Sequence, residues 1–264
     1  MSILNETTSG GRPTDLGASD KGKMYFETDT NNIAVWDGSN WRVYASDGVS
    51  YGFPTSTYSA YFDGIDDRIL IPDSNDLNTS GDITISFWFQ RDRAGHSVFE
   101  GLIHKGNAST SVHYSIGFLP NTHAIRMWQG GGGANFTTST TFTSTTDKVH
   151  ACFVANGGTW YWYVNGDVDN TGTGWNTTNT GTDHLTLGAF VDPTPRKFYK
   201  GNLDEVFIWS RALSSTEVDN IYNNKVYPSN SLAAGWRLEN DATDSINSND
   251  GTNHGATLNS GGLY

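Results

Sequence analysis

The sequence predicts an all-β fold from three observations. Charged residues make up only 17% of the chain, and Ser, Thr, Asn and Gly take the places that Glu, Lys and Ala usually fill on helical surfaces. The aromatic fraction is 13%, with 9 Trp, 12 Tyr and 13 Phe, which indicates a packed core. Short alternating apolar runs recur along the 264 residues, separated by turn sequences such as NGG and NGD. This spacing is typical of a sandwich or barrel.

The first zone, residues 1–50, is predicted to be an extended arm followed by a small β module. Residues 1–22 are polar and rich in Gly and Ser, which suits an arm that becomes ordered against a partner. Three short strands are expected at Met24–Glu27, Ile33–Trp36 and Trp41–Tyr44, with TDTNN as the first hairpin turn. Three such strands are marginal alone, so we expect the module to pack against something else.

The body, residues 51–223, carries the main series of strands. The predicted strands lie at 68–71, 83–89, 98–104, 112–118, 124–129, 149–155, 159–165, 184–190 and 203–209. One short helix is predicted in LSSTEVDNIYNN, where Ser214 and Glu217 have the spacing of a capping box. Val218, Ile221 and Tyr222 would then lie on its packed face.

The last zone, residues 224–264, contains one expected strand in LAAGWRLEND and then a tail dense in Asp, Asn, Ser and Gly. These residue types suit turns and oxygen-ligand sites alike. We expect this zone to complete the sandwich of the same chain or to add a strand to a neighbouring subunit.

The charge and the single cysteine exclude several classes of function. A net charge of −12 argues against nucleic-acid binding, which needs a basic face to displace counterions. Cys152 lies in the apolar run VHACFVA, so we expect it to pack in the core. The start MSILNETTSGGRP lacks the basic and apolar regions of a signal peptide. Because no apolar run reaches membrane-spanning length, we expect no membrane insertion.

Five segments of the body occur in a recognisable order: YFDGIDDRILIPD, DITISFWFQ, KVHACFVANGGTWYWYVNGDV, HLTLGAF and FYKGNLDEVFIWSRALSSTEVDNIY. In this order they resemble the concanavalin A-like, laminin-G-type jelly roll, over residues 58–223. The resemblance implies a sandwich of two antiparallel sheets. It also implies a glycan-binding or adhesive role, because such modules are common in that family.

The amino end carries the fragments GRPTDLG and GKMYFETDTNNIAVWDGSNW. They are similar to a short module of phage tail and head fibre proteins. This implies a virion structural protein, either a fibre or a capsid-decorating protein, that is made in the host cytoplasm and exposed on the particle. Its N-terminal module would bind other virion proteins, its jelly roll would meet host surface glycans, and the chain would form a homo-oligomer, with a trimer favoured. The alternative is an extracellular carbohydrate-binding or adhesion module of bacterial origin.

The laminin-G resemblance also implies a structural calcium ion near the edge of the sandwich, held by aspartates and backbone carbonyls. Asp63 in YFDGIDD and Asp204 in LDEV are the aspartates that match the family by position. The acids expected to complete the site are Asp66 or Asp67 and, in the tail, Asp244 or Asp250. The alternative is that Asp63 forms a turn through Asx hydrogen bonding while the other acids are solvated.

The acids lack the arrangement of a glycosidase, which needs two carboxylates on opposite sides of the scissile bond. None of the six glutamates has another acid two residues away on a predicted strand. Asp204 and Glu205 are adjacent, so we expect them to point to opposite faces. There is no Gly-x-Ser-x-Gly elbow, no phosphate loop and no zinc-like spacing among the seven histidines. The chain is therefore predicted not to be an enzyme.

Glycan binding is predicted from the aromatic residues, because sugars stack on exposed aromatic rings. In WYWYVNG, Trp160 and Trp162 share one face of the strand, and the two tyrosines share the other. One pair must lie in the core, which leaves the other partly exposed or under a loop. The candidate glycan-binding residues are Trp128, Trp162 and Trp175, and the alternative for each is a place in the core.

Overall fold

The structure is a computed structural model. It describes residues 5–7, 11, 13–20, 23–27, 32–36, 41–45, 50–53, 56–78, 81–107, 111–130, 135–176, 181–191 and 194–263. No helix in these ranges has the length and apolar character needed to cross a membrane.

The strands are numbered in chain order. The first twelve are β1 (Asn5–Thr7), β2 (Met24–Glu27), β3 (Asn32–Trp36), β4 (Trp41–Ala45), β5 (Ser50–Gly52), β6 (Tyr58–Asp63), β7 (Arg68–Ile71), β8 (Ile83–Arg91), β9 (Glu100–Asn107), β10 (Ser111–Phe118), β11 (Ala124–Gln129) and β12 (Asn135–Thr141). The others are β13 (Val149–Asn156), β14 (Thr159–Val164), β15 (Asp167–Thr173), β16 (Leu185–Leu187), β17 (Phe190–Val191), β18 (Pro195–Arg196), β19 (Lys200–Trp209), β20 (Val226–Pro228), β21 (Leu232–Trp236), β22 (Thr252–His254) and β23 (Thr257–Ser260). One α-helix, α1, spans Ser215–Asn224.

The chain divides into two compact units. The first comprises Met1–Thr55 and Ser215–Asn230, and the second comprises Ser56–Ser214 and Ser231–Tyr264. The sequence-based boundaries place the helix with the jelly roll and all later residues in a tail. The structure instead groups α1 with the first unit, because β20, directly after the helix, pairs with β5.

The first unit contains a four-stranded sheet in the order β1–β2–β3–β4, with β1 parallel to β2. Strands β2, β3 and β4 match the three predicted strands and pair antiparallel. Of the predicted TDTNN turn, residues 28–31 lie outside the described part of the chain. In α1, Val218 and Ile221 are buried, as predicted, whereas Tyr222 is only partly buried.

The second unit is a sandwich of two antiparallel sheets, which confirms the predicted jelly-roll fold. The seven-stranded sheet has the order β12–β11–β10–β9–β16–β7–β22. The eight-stranded sheet has the order β15–β14–β13–β8–β19–β6–β23, and its eighth strand, β21, pairs with β19. Both β6 and β21 pair with β19, at its beginning and at its end respectively.

The C-terminal segment completes the sandwich of its own chain. Strand β22 pairs with β7 at the edge of the seven-stranded sheet, and β23 pairs with β6 at the edge of the eight-stranded sheet. The last residues of the chain therefore supply an outer strand to both sheets.

The inner faces of the two sheets form one hydrophobic core. Trp160 and Trp162 belong to this core, as one face of the alternating strand β14. On its other face Tyr161 stays partly exposed, as predicted, whereas Tyr163 is buried at 5% exposure. Ile69 and Ile71 in β7 are fully buried in the same core. Cys152 is buried as a free thiol, which confirms its predicted packing role.

A buried ion pair connects the two sheets. Arg91 at the end of β8 donates from Nη2 to Glu100 Oε2 of β9 at 2.5 Å, and both side chains are almost fully buried. Arg91 also donates to the carbonyl oxygen of Phe142 at 2.7 Å, and Arg93 pairs with the second oxygen of Glu100 at 3.0 Å. Because both oxygens of Glu100 face a guanidinium group, its charge is compensated inside the protein.

Candidate functional site

One row of side chains crosses the face of the seven-stranded sheet that is turned away from the core, here called the outer face. Cross-strand pairing sets Trp128 beside Ser115, Ser115 beside His104, His104 beside Thr186, and Thr186 beside Leu70. Directly opposed residues on neighbouring strands point to the same side of a sheet. Their sequence neighbours enter the core, so the row lies on the outer face.

The hairpin formed by β17 and β18 lies over the middle of this row. The ring of Phe190 packs on His104 with 4.4 Å between ring centroids, and it stacks on Trp128 at 6.1 Å with an interplanar angle of 20°. Phe190 also meets Phe99 edge-on at 5.6 Å. Ser115, His104 and Thr186 are fully buried although they lie on the outer face, which follows from this cover.

A cavity of about 320 Å³ opens beside the hairpin, at the end of the row that carries Thr186 and Leu70. Its wall combines strand residues of β7, β9 and β16 with the loop before β16 and with the hairpin. The lining residues are Arg68, Leu70, Gly106, Asn107, Asp183, His184, Thr186, Val191 and Pro195. Small-molecule sites typically have volumes of about 300–1,000 Å³, so the cavity is at the lower end of that range.

The polar groups at the cavity wall differ in their hydrogen-bond and charge partners. Oγ1 of Thr186 is buried and has no hydrogen-bond partner among the described residues. The Asp183 carboxylate is 33% exposed and lies 3.8 Å from His113 Nε2. Burial lowers the pKa of His113, and the Lys105 charge acts in the same direction, against the raising effect of Asp183.

Trp128 is the one predicted glycan-binding tryptophan that lies on the outer face. It is only partly buried, and its ring runs nearly parallel to that of Phe190. The position on β11 and the neighbouring hairpin bring it to the same face as the cavity.

Trp162 and Trp175 are core residues, contrary to the glycan-binding role predicted for them. Trp162 has no exposed surface, and its Nε1 donates to the carbonyl oxygen of Phe136 at 3.0 Å. Trp175 is 5% exposed, packs on Phe136 and Phe153, and donates from Nε1 to the carbonyl oxygen of Gly81 at 2.9 Å. Neither ring offers a face to a sugar, because the core occupies both.

Three of the predicted acidic ligands form a cluster after β6. Carboxylate oxygens of Asp63, Asp66 and Asp67 lie within 4.8 Å of one another. Asp63 Oδ1 accepts from the N–H of Ile65 at 2.8 Å, which is the Asx turn expected as the alternative, and Asp67 Oδ2 accepts from the N–H of Asp63 at 2.9 Å. Burial raises the pKa of Asp67, and the charges of Asp63 and Asp66 add to this effect.

Asp204 does not belong to this cluster, although it was predicted to be the partner of Asp63. The cross-strand partner of Asp63 is Lys200, and Asp204 lies four residues further along β19, about 13 Å away at about 3.3 Å per residue. Its Oδ2 accepts hydrogen bonds from Ser56 Oγ at 2.8 Å and from the N–H of Leu263 at 2.9 Å. Burial raises the pKa of Asp204 to about 7.

Asp244 is also separate from the cluster and holds a turn of the C-terminal segment. Its Oδ1 accepts from the N–H groups of Gly235 and Ile246, and its Oδ2 accepts from both nitrogens of Asn249. Four accepted hydrogen bonds use the lone-pair directions of a carboxylate. Asp244 is therefore a structural residue and not a metal ligand in this conformation.

The remaining buried acids and the buried Ser–His pair are placed for structure. Glu205 forms an ion pair with Arg237 at 2.9 Å and is fully buried, like Glu100. Ser86 Oγ lies 2.8 Å from His150 Nε2, but both residues are buried. The register sets Trp88 between His150 and Asp204, so this acid does not orient the imidazole.

The solved structures that share the fold of this chain include the following three. A candidate carbohydrate-binding protein from Bacteroides ovatus superposes with a TM-score of 0.64 at 16% identity, over 91% of this chain and 70% of that chain. The heptameric SAP-like pentraxin from Limulus polyphemus superposes with a TM-score of 0.56 at 11% identity, over 80% and 99%. Domain 4 of the extracellular arabinanase AbnA from Geobacillus stearothermophilus, in complex with arabinotriose, gives a TM-score of 0.51 at 21% identity, over 66% and 84%.

No curated protein matches the chain by sequence. A family model does match, over residues 62–219, which is more than half of the chain. This match agrees with the two antiparallel sheets and with the fold shared by the solved structures. The chain belongs to the concanavalin A-like lectin/glucanases superfamily.

Proposed function

We propose that the sandwich is a non-catalytic carbohydrate-binding domain and that the cavity beside the β17–β18 hairpin is its sugar site. The observation that carries this proposal is the hydroxyl group of Thr186. It is fully buried in the cavity wall without a hydrogen-bond partner among the described residues. Buried polar groups in native proteins are almost always satisfied. Thr186 has no accessible surface in this conformation, so a sugar hydroxyl group would supply the missing bond once a neighbouring side chain of the cavity wall moves aside.

The cavity has the chemistry that a sugar requires. Arg68 and His184 supply donors, and Asp183 supplies an acceptor for hydroxyl groups. Leu70 and Val191 give apolar surface for the C–H groups of a sugar ring. Such a wall, with a few directed polar groups on an apolar surface, is typical of small-molecule sites.

Two further observations support binding without catalysis. The solved structures that share the fold include a candidate carbohydrate-binding protein and a domain in complex with arabinotriose. Glu100 and Glu205 are buried in ion pairs with arginines, so neither can serve as the exposed acid of a glycosidase.

The substitution Thr186→Val tests the proposal. Valine keeps the shape of threonine and removes the hydroxyl group, so we expect an unchanged or higher melting temperature together with a three- to tenfold loss of affinity for the glycan. A glycan array on the full chain would identify the ligand, and isothermal titration would measure the affinity. The matched control is Thr171→Val on exposed β15, whose hydroxyl group donates to the Trp160 carbonyl oxygen outside the cavity. Equal affinities for Thr186→Val and the native chain, or no glycan bound by the native chain, would reject the site.

We further propose that the acidic cluster of Asp63, Asp66 and Asp67 binds a structural calcium ion. The donor set fits, because three carboxylates lie within 4.8 Å of one another and calcium prefers carboxylate oxygens. The raised pKa of Asp67 reflects burial and the repulsion of two neighbouring carboxylates, which a cation would relieve.

We also propose that the chain is a surface protein of a phage virion, as the similarity of GRPTDLG and GKMYFETDTNNIAVWDGSNW to fibre modules suggests. The N-terminal module, residues 1–50, would bind other virion proteins, and the chain would assemble as a homo-oligomer, with a trimer favoured. Light scattering of the purified chain would measure the oligomeric state. An antibody against the chain should label phage particles released from a lysed culture. Labelling of the bacterial surface instead would favour the alternative, an extracellular bacterial adhesion module.

A further inference from the structure

Two cations lie together over aromatic rings at the side of the β17–β18 hairpin. The guanidinium group of Arg126 is 5.0 Å from the ring centroid of Phe99 and 5.6 Å from that of Trp128. The ammonium group of Lys197 is 4.7 Å from the ring centroid of Phe190 and 5.7 Å from that of Phe99. Phe99 thus lies under both cations.

Neither cation forms an ion pair within the described part of the chain, and the buried Nε of Arg126 has no hydrogen-bond partner there. The chain has a net charge of −12, and acids outnumber basic residues by 28 to 16. Several basic side chains of the sandwich pair with carboxylates: Arg91, Arg93, Lys105, Lys200 and Arg237. Arg68 and Lys148 donate to backbone carbonyl oxygens instead.

The environment disfavours the two positive charges. Burial lowers the pKa of Arg126, and burial together with the charges of Arg196 and Arg126 lowers the pKa of Lys197. An anion placed between the two groups would reverse this effect, because an opposite charge within about 4–6 Å favours the charged form.

We infer that Arg126 and Lys197 bind the carboxylate of an acidic sugar whose ring packs against the accessible part of Trp128. A guanidinium fork matches a carboxylate with two parallel hydrogen bonds, and the ammonium group adds a third donor. This inference rests on the proposed carbohydrate binding, and it names the class of glycan.

The surroundings favour a sugar over other anions. Trp128 is partly exposed, so its ring supplies apolar surface for a sugar ring, and a free inorganic anion would not use that surface. Phe190 of this cluster and Val191 of the cavity wall are adjacent in β17, so one oligosaccharide can contact both sides of the hairpin. The overall charge of −12 argues against nucleic acid as the source of the anion.

The test compares acidic and neutral glycans on one array, using glycans that end in uronic acid, sialic acid or sulfated sugars and their uncharged counterparts. The full-length chain should bind acidic glycans in preference, and added salt should weaken this binding. Arg126→Gln and Lys197→Gln should each reduce the affinity for the acidic glycan ten- to a hundredfold, since each removes a charged hydrogen-bond donor. Both variants should keep their affinity for neutral glycans within about twofold.

The control variant is Lys23→Gln in the first unit, which changes the net charge equally and removes only an exposed pair with Asp20. Its affinity for every glycan should be unchanged. If neutral glycans bind as well as acidic ones, or if acidic binding survives both substitutions, the acidic-sugar site is wrong while the carbohydrate-binding proposal stands. If no glycan binds at all, both proposals fail together.

Discussion

The imidazole ring of His104 lies against the phenyl ring of Phe190, with 4.4 Å between their centroids. His104 belongs to β9 in the middle of the seven-stranded sheet, and Phe190 belongs to the hairpin above it. Phe190 is 3% exposed and also contacts Phe99 and Trp128. This ring therefore anchors the hairpin whose residues Val191 and Pro195 line the cavity. It also lies beneath the ammonium group of Lys197.

Replacing Phe190 by alanine should lower the free energy of unfolding by about 3–5 kcal/mol, the usual cost of removing a buried phenyl ring. Glycan affinity should fall as well, because Val191 and Pro195 lose their support. Urea denaturation followed by tryptophan fluorescence would measure the first effect and titration the second. Val168→Ala, at a side chain that is 55% exposed, should change the stability by less than about 0.5 kcal/mol. Equal effects of both substitutions would contradict the anchoring role.

The stability should depend on pH through two buried groups with opposite effects. Burial raises the pKa of Asp204 from 3.8 to about 7, so the folded protein holds this proton more tightly and stability falls as the pH rises from about 4 to 7. Burial lowers the pKa of His104 from 6.5 to about 4, so the unfolded chain holds that proton more tightly and stability rises between about pH 4 and 6.5. The two contributions oppose each other over most of this range.

Single substitutions should separate these contributions. Asp204→Asn removes the contribution of Asp204, which makes the stability fall as the pH rises. The melting temperature of this variant should therefore rise from pH 4 to 6.5 more steeply than that of the native chain. His104→Gln should do the reverse and leave a melting temperature that falls over the same range. Thermal unfolding at half-unit steps of pH would show both slopes. Parallel curves for the native chain and both variants would rule out these two groups as the source.

Removing one partner of the buried pair between Arg91 and Glu100 should be costly. Glu100→Ala leaves Arg91 charged and buried, so we expect a loss of about 3–5 kcal/mol in the free energy of unfolding. The surface pair of Lys200 and Asp92 provides the comparison, because Lys200→Ala should cost at most about 1 kcal/mol. Chemical denaturation of both variants would measure the difference. A Glu100→Ala variant as stable as Lys200→Ala would mean that the ion pair contributes little.

Calcium should stabilise the sandwich through the acidic cluster. Adding Ca²⁺ after treatment with EDTA should raise the melting temperature, and Asp63→Ala or Asp67→Asn should abolish this response. Asp204→Asn should keep it, because Asp204 lies about 13 Å along β19 from the partner of Asp63. If the melting temperature does not change with calcium, the proposed calcium site is wrong, and Asp63 only forms the Asx turn. If Asp204→Asn also loses the response, Asp204 is a calcium ligand together with Asp63, as the family resemblance implies.

The sequence predicted strands well where alternation is strong, and missed them where it is weak. WYWYVNG alternates large side chains, and the core takes up Trp160 and Trp162 as one face of β14. The polar strands β12 and β15 were not predicted, because they lie at sheet edges and bury little apolar surface. The run 184–190 was predicted as one strand but breaks at Gly188. That residue has φ +82° and no room for a Cβ beside Phe62, so the chain leaves the sheet and forms the hairpin.

The candidate site was harder to predict, because it depends on long-range pairing. Alternation places Trp162 on a face but does not reveal that the other sheet covers this face. The family resemblance suggested that Asp204 lies close to Asp63. The strand register instead pairs Asp63 with Lys200. The unsatisfied Thr186 is one residue in an ordinary strand sequence, and only the pairing of β16 with β9 and β7 brings it to the cavity.

The Asp204 carboxylate also determines where the ends of the second unit lie. One oxygen, Oδ2, accepts from Ser56, the first residue of that unit, and from the N–H of Leu263 near its last residue. Because both donors bind the same oxygen, the beginning and the end of the sandwich lie close together in space. A short peptide could join these ends covalently, and new termini could then be opened in the exposed loop at Thr145–Asp147. Such a circularly permuted chain should keep every strand pairing of the sandwich.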